Sequence, residues 1–95
     1  MQQHSVYFTY IVQCGDGTYY TGKTVNLIQR IKQHNGKLSG GARYTKIRRP
    51  VTLAYFEEHK THTIAARREI AIKRLSHKEK EHLCQVKSES LGDII

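Results

Sequence analysis

Three kinds of side chain in this 95-residue chain stand at spacings that suit work on a phosphate group. Arg30 and His34 are one helical turn apart and therefore share a helix face. At 100° per residue both fall at the shoulder of a stripe formed by Leu27, Ile28 and Ile31, while Gln29, Lys32 and Gln33 point away. A half-buried arginine can grip phosphate with its two-pronged guanidinium where water is scarce. It can equally cover the edge of a core with its methylenes. His34 can carry a proton to a leaving oxygen or simply touch phosphate. Glu69 falls beside Ala65 and Ile72 on a later helix. There a carboxylate is either a hard oxygen ligand for Mg²⁺ or the partner of Lys73 in an ordinary i,i+4 pair. One carboxylate suits a single metal ion and not a two-ion clamp.

Charge points the same way. The formal net charge is +8, and all of it lies in one segment. From Gly17 to Phe56 there is no acidic residue, against eight basic ones: Lys23, Arg30, Lys32, Lys37, Arg43, Lys46, Arg48 and Arg49. Solubility alone does not demand that acids be excluded from so long a stretch, so a polyanion-binding face is expected. The loop Lys37 to Arg49, with Tyr44 among its basic residues, suits contact with a nucleic-acid backbone plus stacking on a base. No apolar run is long enough to cross a membrane. Met-Gln-Gln-His-Ser is not the start of a signal peptide. Cys14 and Cys84, far apart, read as reduced thiols without a disulfide, and the expected location is cytoplasmic. His59-x-x-His62 and His82-x-Cys84 lack a second pair at zinc-like spacing.

The elements that must carry these residues can be read in order. Val6 to Val12 is a strand with Val6, Phe8, Tyr10 and Val12 on one face. Asp16-Gly17 makes a turn, and Thr18 to Thr24 returns as the second strand of a hairpin. Gly22 marks a bulge or a close approach of another backbone. Asn26 caps a helix to about Asn35. A flexible glycine-containing loop follows. Val51 to Glu57 is a third strand, with Val51, Leu53 and Tyr55 sharing a face. Thr63, or Thr61 before it, starts a helix to about Leu75. Ser76 and Glu79 form a capping box for a last helix to about Cys84. The order ββαβαα predicts an α+β domain over residues 1–84, with a small, mainly antiparallel three-stranded sheet and a C-terminal tail over 85–95.

Phe8-Thr9-Tyr10 followed by Tyr20-Thr21-Gly22 resembles the paired-tyrosine signature of the GIY-YIG endonucleases, with the Gly and Ile of the first triplet and the Ile of the second replaced. Arg30 eight residues after Gly22, His34 a turn later and Glu69 in the following long helix strengthen the likeness. The short stand-alone bacterial members, the YazA/YhbQ-like family, resemble the chain in further details. These are the Asp-Gly turn, Tyr44-Thr45 after the glycine-rich loop, Arg-Pro before the third strand and Ala66-x-x-Glu69-x-x-x-Lys73. The resemblance implies that Tyr10 activates water or relays to the group that does, although a buried aromatic is its plain alternative. It implies that Tyr20 positions phosphate or water, Arg30 stabilises developing charge, and Glu69 holds one Mg²⁺ or Mn²⁺ ion. Ionising a phenol at neutral pH costs about 4 kcal/mol, so neighbouring cations must help, and Lys23 is the nearest in sequence. Many relatives carry an asparagine in the last helix that completes the site, and KRLSHKEKEHLC has none. The expected function is a metal-dependent endonuclease acting on DNA; the alternative is a nucleic-acid-binding module that keeps the fold without cutting.

Overall fold

The computed structural model describes residues 6–86. Its strands are β1 (Tyr7–Gln13), β2 (Tyr19–Thr24) and β3 (Thr52–His59). Its helices are α1 (Leu27–His34), the single turn α2 (Arg43–Lys46), α3 (His62–Lys73) and α4 (His77–Val86). The sheet order is β2-β1-β3, antiparallel throughout, which is the expected α+β arrangement with one extra helical turn inside the basic loop. β1 takes the centre because its run of aromatic and β-branched residues can be covered on both faces. Its four consecutive residues Thr9, Tyr10, Ile11 and Val12 are all buried.

Local chemistry sets the ends of the elements. Asp16 accepts hydrogen bonds from the Thr18 amide and hydroxyl, and Gly17 adopts φ 86° beside it. The Asn26 side chain accepts from the Gln29 amide, and Thr61, not Thr63, accepts from the Ile64 amide. Ser76 and Glu79 exchange the two bonds of a capping box at the start of α4.

The sheet has a core on each face. Tyr10, Val12, Cys14, Leu27 and Val51 fill one side beneath α1 and α2, whereas Ile11, Tyr55, Ile72 and Cys84 fill the other beneath α3 and α4. The two thiols therefore lie in separate clusters, and both are free. Tyr55 departs from the expected common face with Val51 and Leu53. Ile11 pairs with Tyr55 and Val12 with Leu53, so Ala54 is an additional residue in β3 that reverses the alternation. Ile28 departs too: it is 55 % exposed, so the apolar stripe of α1 narrows to Leu27 and Ile31. Among the described residues no helix is long and apolar enough to cross a membrane.

A half-buried ionic clamp joins β3 to α3. Arg68 donates to both carboxylate oxygens of Glu57 at 2.8 and 2.6 Å, and the Tyr55 hydroxyl also donates to Glu57, with His59 2.9 Å away. Burial alone would raise the Glu57 pKa, but these donors outweigh it and hold the carboxyl down to about 2. The clamp fixes the helix that carries Glu69.

Candidate active site

Tyr10 projects from the central strand across its edge-strand partner Gly22, and no other residue would fit there. A Cβ at position 22 would lie 2.5 Å from the Tyr10 hydroxyl oxygen, so the glycine clears space for a phenol and not for a neighbouring backbone. That hydroxyl lies 2.7 Å from Nε2 of His34. The histidine is fully buried, not at a helix shoulder, because α2 folds over the far side of its ring. Nδ1 of His34 is 3.0 Å from Oγ1 of Thr45, which is itself 2.9 Å from the Ala42 carbonyl oxygen. Burial, then the charges of Arg30 and Arg49, push the imidazole down to about 4, so it is neutral at pH 7. Burial pushes the Tyr10 phenol up to about 12 despite an opposing pull from Arg30. Tyr20 and Glu69 act on the same phenol electrostatically and raise it further. One tyrosine therefore senses the four other predicted catalytic residues.

Arg30 is half-buried, donating from one nitrogen to the Gln33 side chain at 2.8 Å and to the Gly40 carbonyl at 2.7 Å. It lines a cleft of about 380 Å³ with Tyr7, Lys23, Thr24, Gln33 and His62. Glu69, 15 % exposed, pairs with Lys23 of this cleft at 3.4 Å and with Lys73 of its own helix at 3.2 Å. The expected i,i+4 pair with Lys73 is present, and Lys23, which lines the cleft, is a second partner. Among the described residues no group of three metal-ligating side chains exists. The donor set offers one hard carboxylate beside a cationic cleft, which suits an ion that takes most of its ligands from water and phosphate. Tyr20 packs edge-on against His34 with ring centres 5.3 Å apart and stacks on Tyr44 at 5.8 Å.

The predicted nucleic-acid contacts fall into two groups. Lys37, Arg43 and Lys46 are exposed, as is Arg49 despite the bond it makes. Arg48 and Arg49 are engaged by the protein. Arg48 lies over the Tyr44 ring at 3.9 Å, donates to the Tyr44 carbonyl and pairs with Asp16 at 3.2 Å. Arg49 donates through Nε to the His34 carbonyl at 2.7 Å, closing the C-terminus of α1. The loop expected to be flexible from its glycines is pinned by these bonds, and Gly41 packs so closely on α1 that a Cβ would lie 2.3 Å from the Gln33 carbonyl. Sequence reasoning missed Thr45 as a partner of His34. A threonine four residues after Gly41 carries no periodic signal, and only the α2 turn reveals its contact. It also missed the Glu57–Arg68 clamp.

Residues 6–82 match the family model described as the GIY-YIG catalytic domain. The UPF0213 protein DP2720 of Desulfotalea psychrophila is 47 % identical over 88 residues, covering 93 % of this chain and 79 % of that protein. The UPF0213 protein VNG_2274C of Halobacterium salinarum is 44 % identical over 78 residues, covering 82 % of this chain and 99 % of the relative. Among solved structures, the UPF0213 protein BH0048 of Bacillus halodurans is 38 % identical with a TM-score of 0.55, covering 86 % of this chain and 85 % of that one. The protein EF2693 of E. faecalis is 33 % identical with a TM-score of 0.58, covering 96 % and 93 %. With the paired strands, the tyrosines and the arginine helix in place, these matches make the chain a member of the GIY-YIG family, alongside the UPF0213 proteins.

Proposed function

We propose that this domain is a divalent-metal-dependent endonuclease that hydrolyses DNA phosphodiester bonds. The observation that carries the reading is the buried Tyr10 hydroxyl 2.7 Å from the neutral imidazole of His34, with Arg30, whose charge acts on both groups, lining a cationic cleft. At pH 7 the phenol keeps its proton and the imidazole is neutral, so the Tyr10 O–H can donate to Nε2 and leave its lone pairs for a water proton. Tyr10 acts as the relay: it takes a proton from water as its own moves to His34, in one concerted step. Tyr20, half-buried beside the pair, positions the water or the phosphate. Arg30 stabilises charge that develops on the phosphate oxygens. Glu69 is the residue that would hold one Mg²⁺ or Mn²⁺ ion, which when bound supplies positive charge at the scissile phosphate. Lys23, Lys37, Arg43 and Lys46 draw the DNA backbone in, and Tyr44, Arg48 and Arg49 shape the loop that meets it.

The experiment is incubation of the purified protein with labelled single-stranded, duplex and branched DNA, in Mg²⁺, Mn²⁺ or chelator. Cleavage that needs the metal is the expected result. A second reading, a nucleic-acid-binding module without cleavage, is favoured by two features: Tyr10 is 1 % exposed, and both Glu69 oxygens are engaged by lysines. DNA that is bound but left intact under every condition would establish that reading instead.

A further inference from the structure

Thr45 is fully buried in the α2 turn, and its hydroxyl touches two groups at once: the Ala42 carbonyl at 2.9 Å and His34 Nδ1 at 3.0 Å. A hydroxyl has one proton to give and lone pairs to receive another. The carbonyl has no proton. Two oxygens 2.9 Å apart with nothing between them would repel, so the Thr45 proton must lie on the line to Ala42. The carbonyl also accepts from the Lys46 amide at 3.2 Å, which its second lone pair allows. Oγ1 can then face Nδ1 only as an acceptor, and Nδ1 must carry the proton. In a neutral imidazole that leaves Nε2 bare, 2.7 Å from a phenol whose hydroxyl has its own proton to donate. The competing arrangement leaves Nδ1 bare, so that the Thr45 hydroxyl must turn its proton from the Ala42 carbonyl to Nδ1 and the Ala42 amide donates there as well. The amide contact is 3.5 Å, beyond the normal range for an N–H donor, whereas the hydroxyl–carbonyl contact that would be sacrificed is well inside its own.

We propose that Thr45 is a positioning residue that fixes His34 as the Nδ1–H tautomer, so that the bare Nε2 faces the Tyr10 hydroxyl and receives its proton. The chain of donation then runs Tyr10 O–H to His34 Nε2, His34 Nδ1–H to Thr45 Oγ1, and Thr45 O–H to the Ala42 carbonyl. As the phenol proton moves to Nε2 the imidazole keeps its Nδ1–H bond to Thr45, while the phenol oxygen takes a proton from water in the same step, so that no free phenolate forms. Without Thr45 the imidazole gains nothing from this tautomer. It can then turn its N–H towards Tyr10, where it cannot accept. The catalytic meaning of this rests on the endonuclease reading, but the tautomer itself does not.

The test is long-range ¹H–¹⁵N correlation of the histidine rings in the ¹⁵N-labelled whole chain at pH 7, with His34 assigned by its loss in His34→Gln. The expected spectrum has a protonated Nδ1 and a bare Nε2 in the wild type and in Thr45→Ser. Thr45→Val, which keeps the shape and removes the hydroxyl, should lose that pattern and lower the single-turnover cleavage rate about tenfold, the worth of one hydrogen bond. Thr45→Ser should keep the rate. Tyr10→Phe provides an arm independent of any folding defect in Thr45→Val: the Nδ1–H pattern should survive loss of the phenol if Thr45 sets it. A protonated Nε2 in the wild type, an unchanged pattern in Thr45→Val or its loss in Tyr10→Phe would each overturn the assignment. A chain that never cuts DNA yet shows the expected tautomers would sink the endonuclease reading alone.

Discussion

The hydroxyl oxygen of Tyr10 occupies the space that a side chain at residue 22 would need, with a would-be Cβ only 2.5 Å away. Tyr10 is a core ring, 1 % exposed, and cannot swing aside. Gly22→Ala should therefore destabilise the domain by about 1–3 kcal/mol, as overpacking does, and break the contact with His34. Urea denaturation measures the first effect, and cleavage the second. A variant as stable and as active as the wild type would mean that the ring is not fixed over Gly22.

His34 gives the domain a pH dependence that can be isolated. Its folded pKa of about 4 lies below the ordinary value near 6.5, so between those limits the unfolded chain binds a proton that the folded chain refuses. Stability is fully present above about pH 6.5 and is lost as the pH falls towards 4, by about 2–3 kcal/mol between pH 7 and 4.5. Glu57 adds its own loss only below its unfolded value near 4.5, as pH falls towards about 2. Denaturation curves from pH 7 to 4.5 should show the slope in the wild type and much less of it in His34→Gln, whatever that variant's absolute stability.

Arg30 and Glu69 should separate cutting from binding. Arg30→Ala is expected to lower cleavage by about 2–4 kcal/mol of transition-state stabilisation with a smaller effect on binding. Arg30→Lys should recover only part, because an ammonium cannot reproduce the fork. Glu69→Gln should abolish cleavage and leave DNA bound. Glu69→Asp should be nearly as inactive, since the shorter arm withdraws an oxygen that a Mg²⁺ ion needs at about 2.1 Å. Single-turnover cleavage with Mn²⁺ beside a salt-matched binding curve decides this, and full activity in Glu69→Gln would assign the metal to another group.

The basic residues divide by what else holds them. Replacing exposed Lys37, Arg43 and Lys46 with Ala should flatten the salt dependence of DNA binding by up to about 3 in log–log slope, near 0.9 for each phosphate no longer neutralised, with stability unchanged. Arg48→Ala removes the stacking on Tyr44, a carbonyl bond and the Asp16 pair, and should cost about 1–2 kcal/mol of stability. Binding titrations from low to high salt, paired with melting curves, check both halves. Equal stability losses in the two sets would erase the distinction.

Much of the fold was legible because local chemistry announces itself. Asn26, the Ser76–Glu79 box and Asp16-Gly17 each mark an end or a turn with a hydrogen bond that the structure contains. The alternation in β1 placed Tyr10 among Val12 and Phe8 correctly. What failed depended on partners distant in sequence. Ala54 reverses the face of Tyr55 because of the register with β1, which no reading of β3 alone contains. His34 looked half-exposed because a single helix does not know that the α2 turn will cover it. Arg48 and Arg49 looked free because Asp16 and the His34 carbonyl, their partners, are brought close only by folding.

The segment between α1 and β3 is fastened along its length. The Lys37 amide bonds the Lys32 carbonyl at 2.9 Å, Arg30 holds the Gly40 carbonyl, Thr45 meets His34, and the Gly15 amide takes the Arg48 carbonyl at 2.7 Å. A backbone so tethered has little motion left to surrender when a polyanion arrives. Encounter is then governed by long-range attraction between a fixed positive surface and the incoming phosphates, not by the time a loop needs to order itself. Added salt should accordingly slow the bimolecular arrival of DNA more than it hastens departure, and stopped-flow traces should show one concentration-dependent phase with no later isomerisation of the loop.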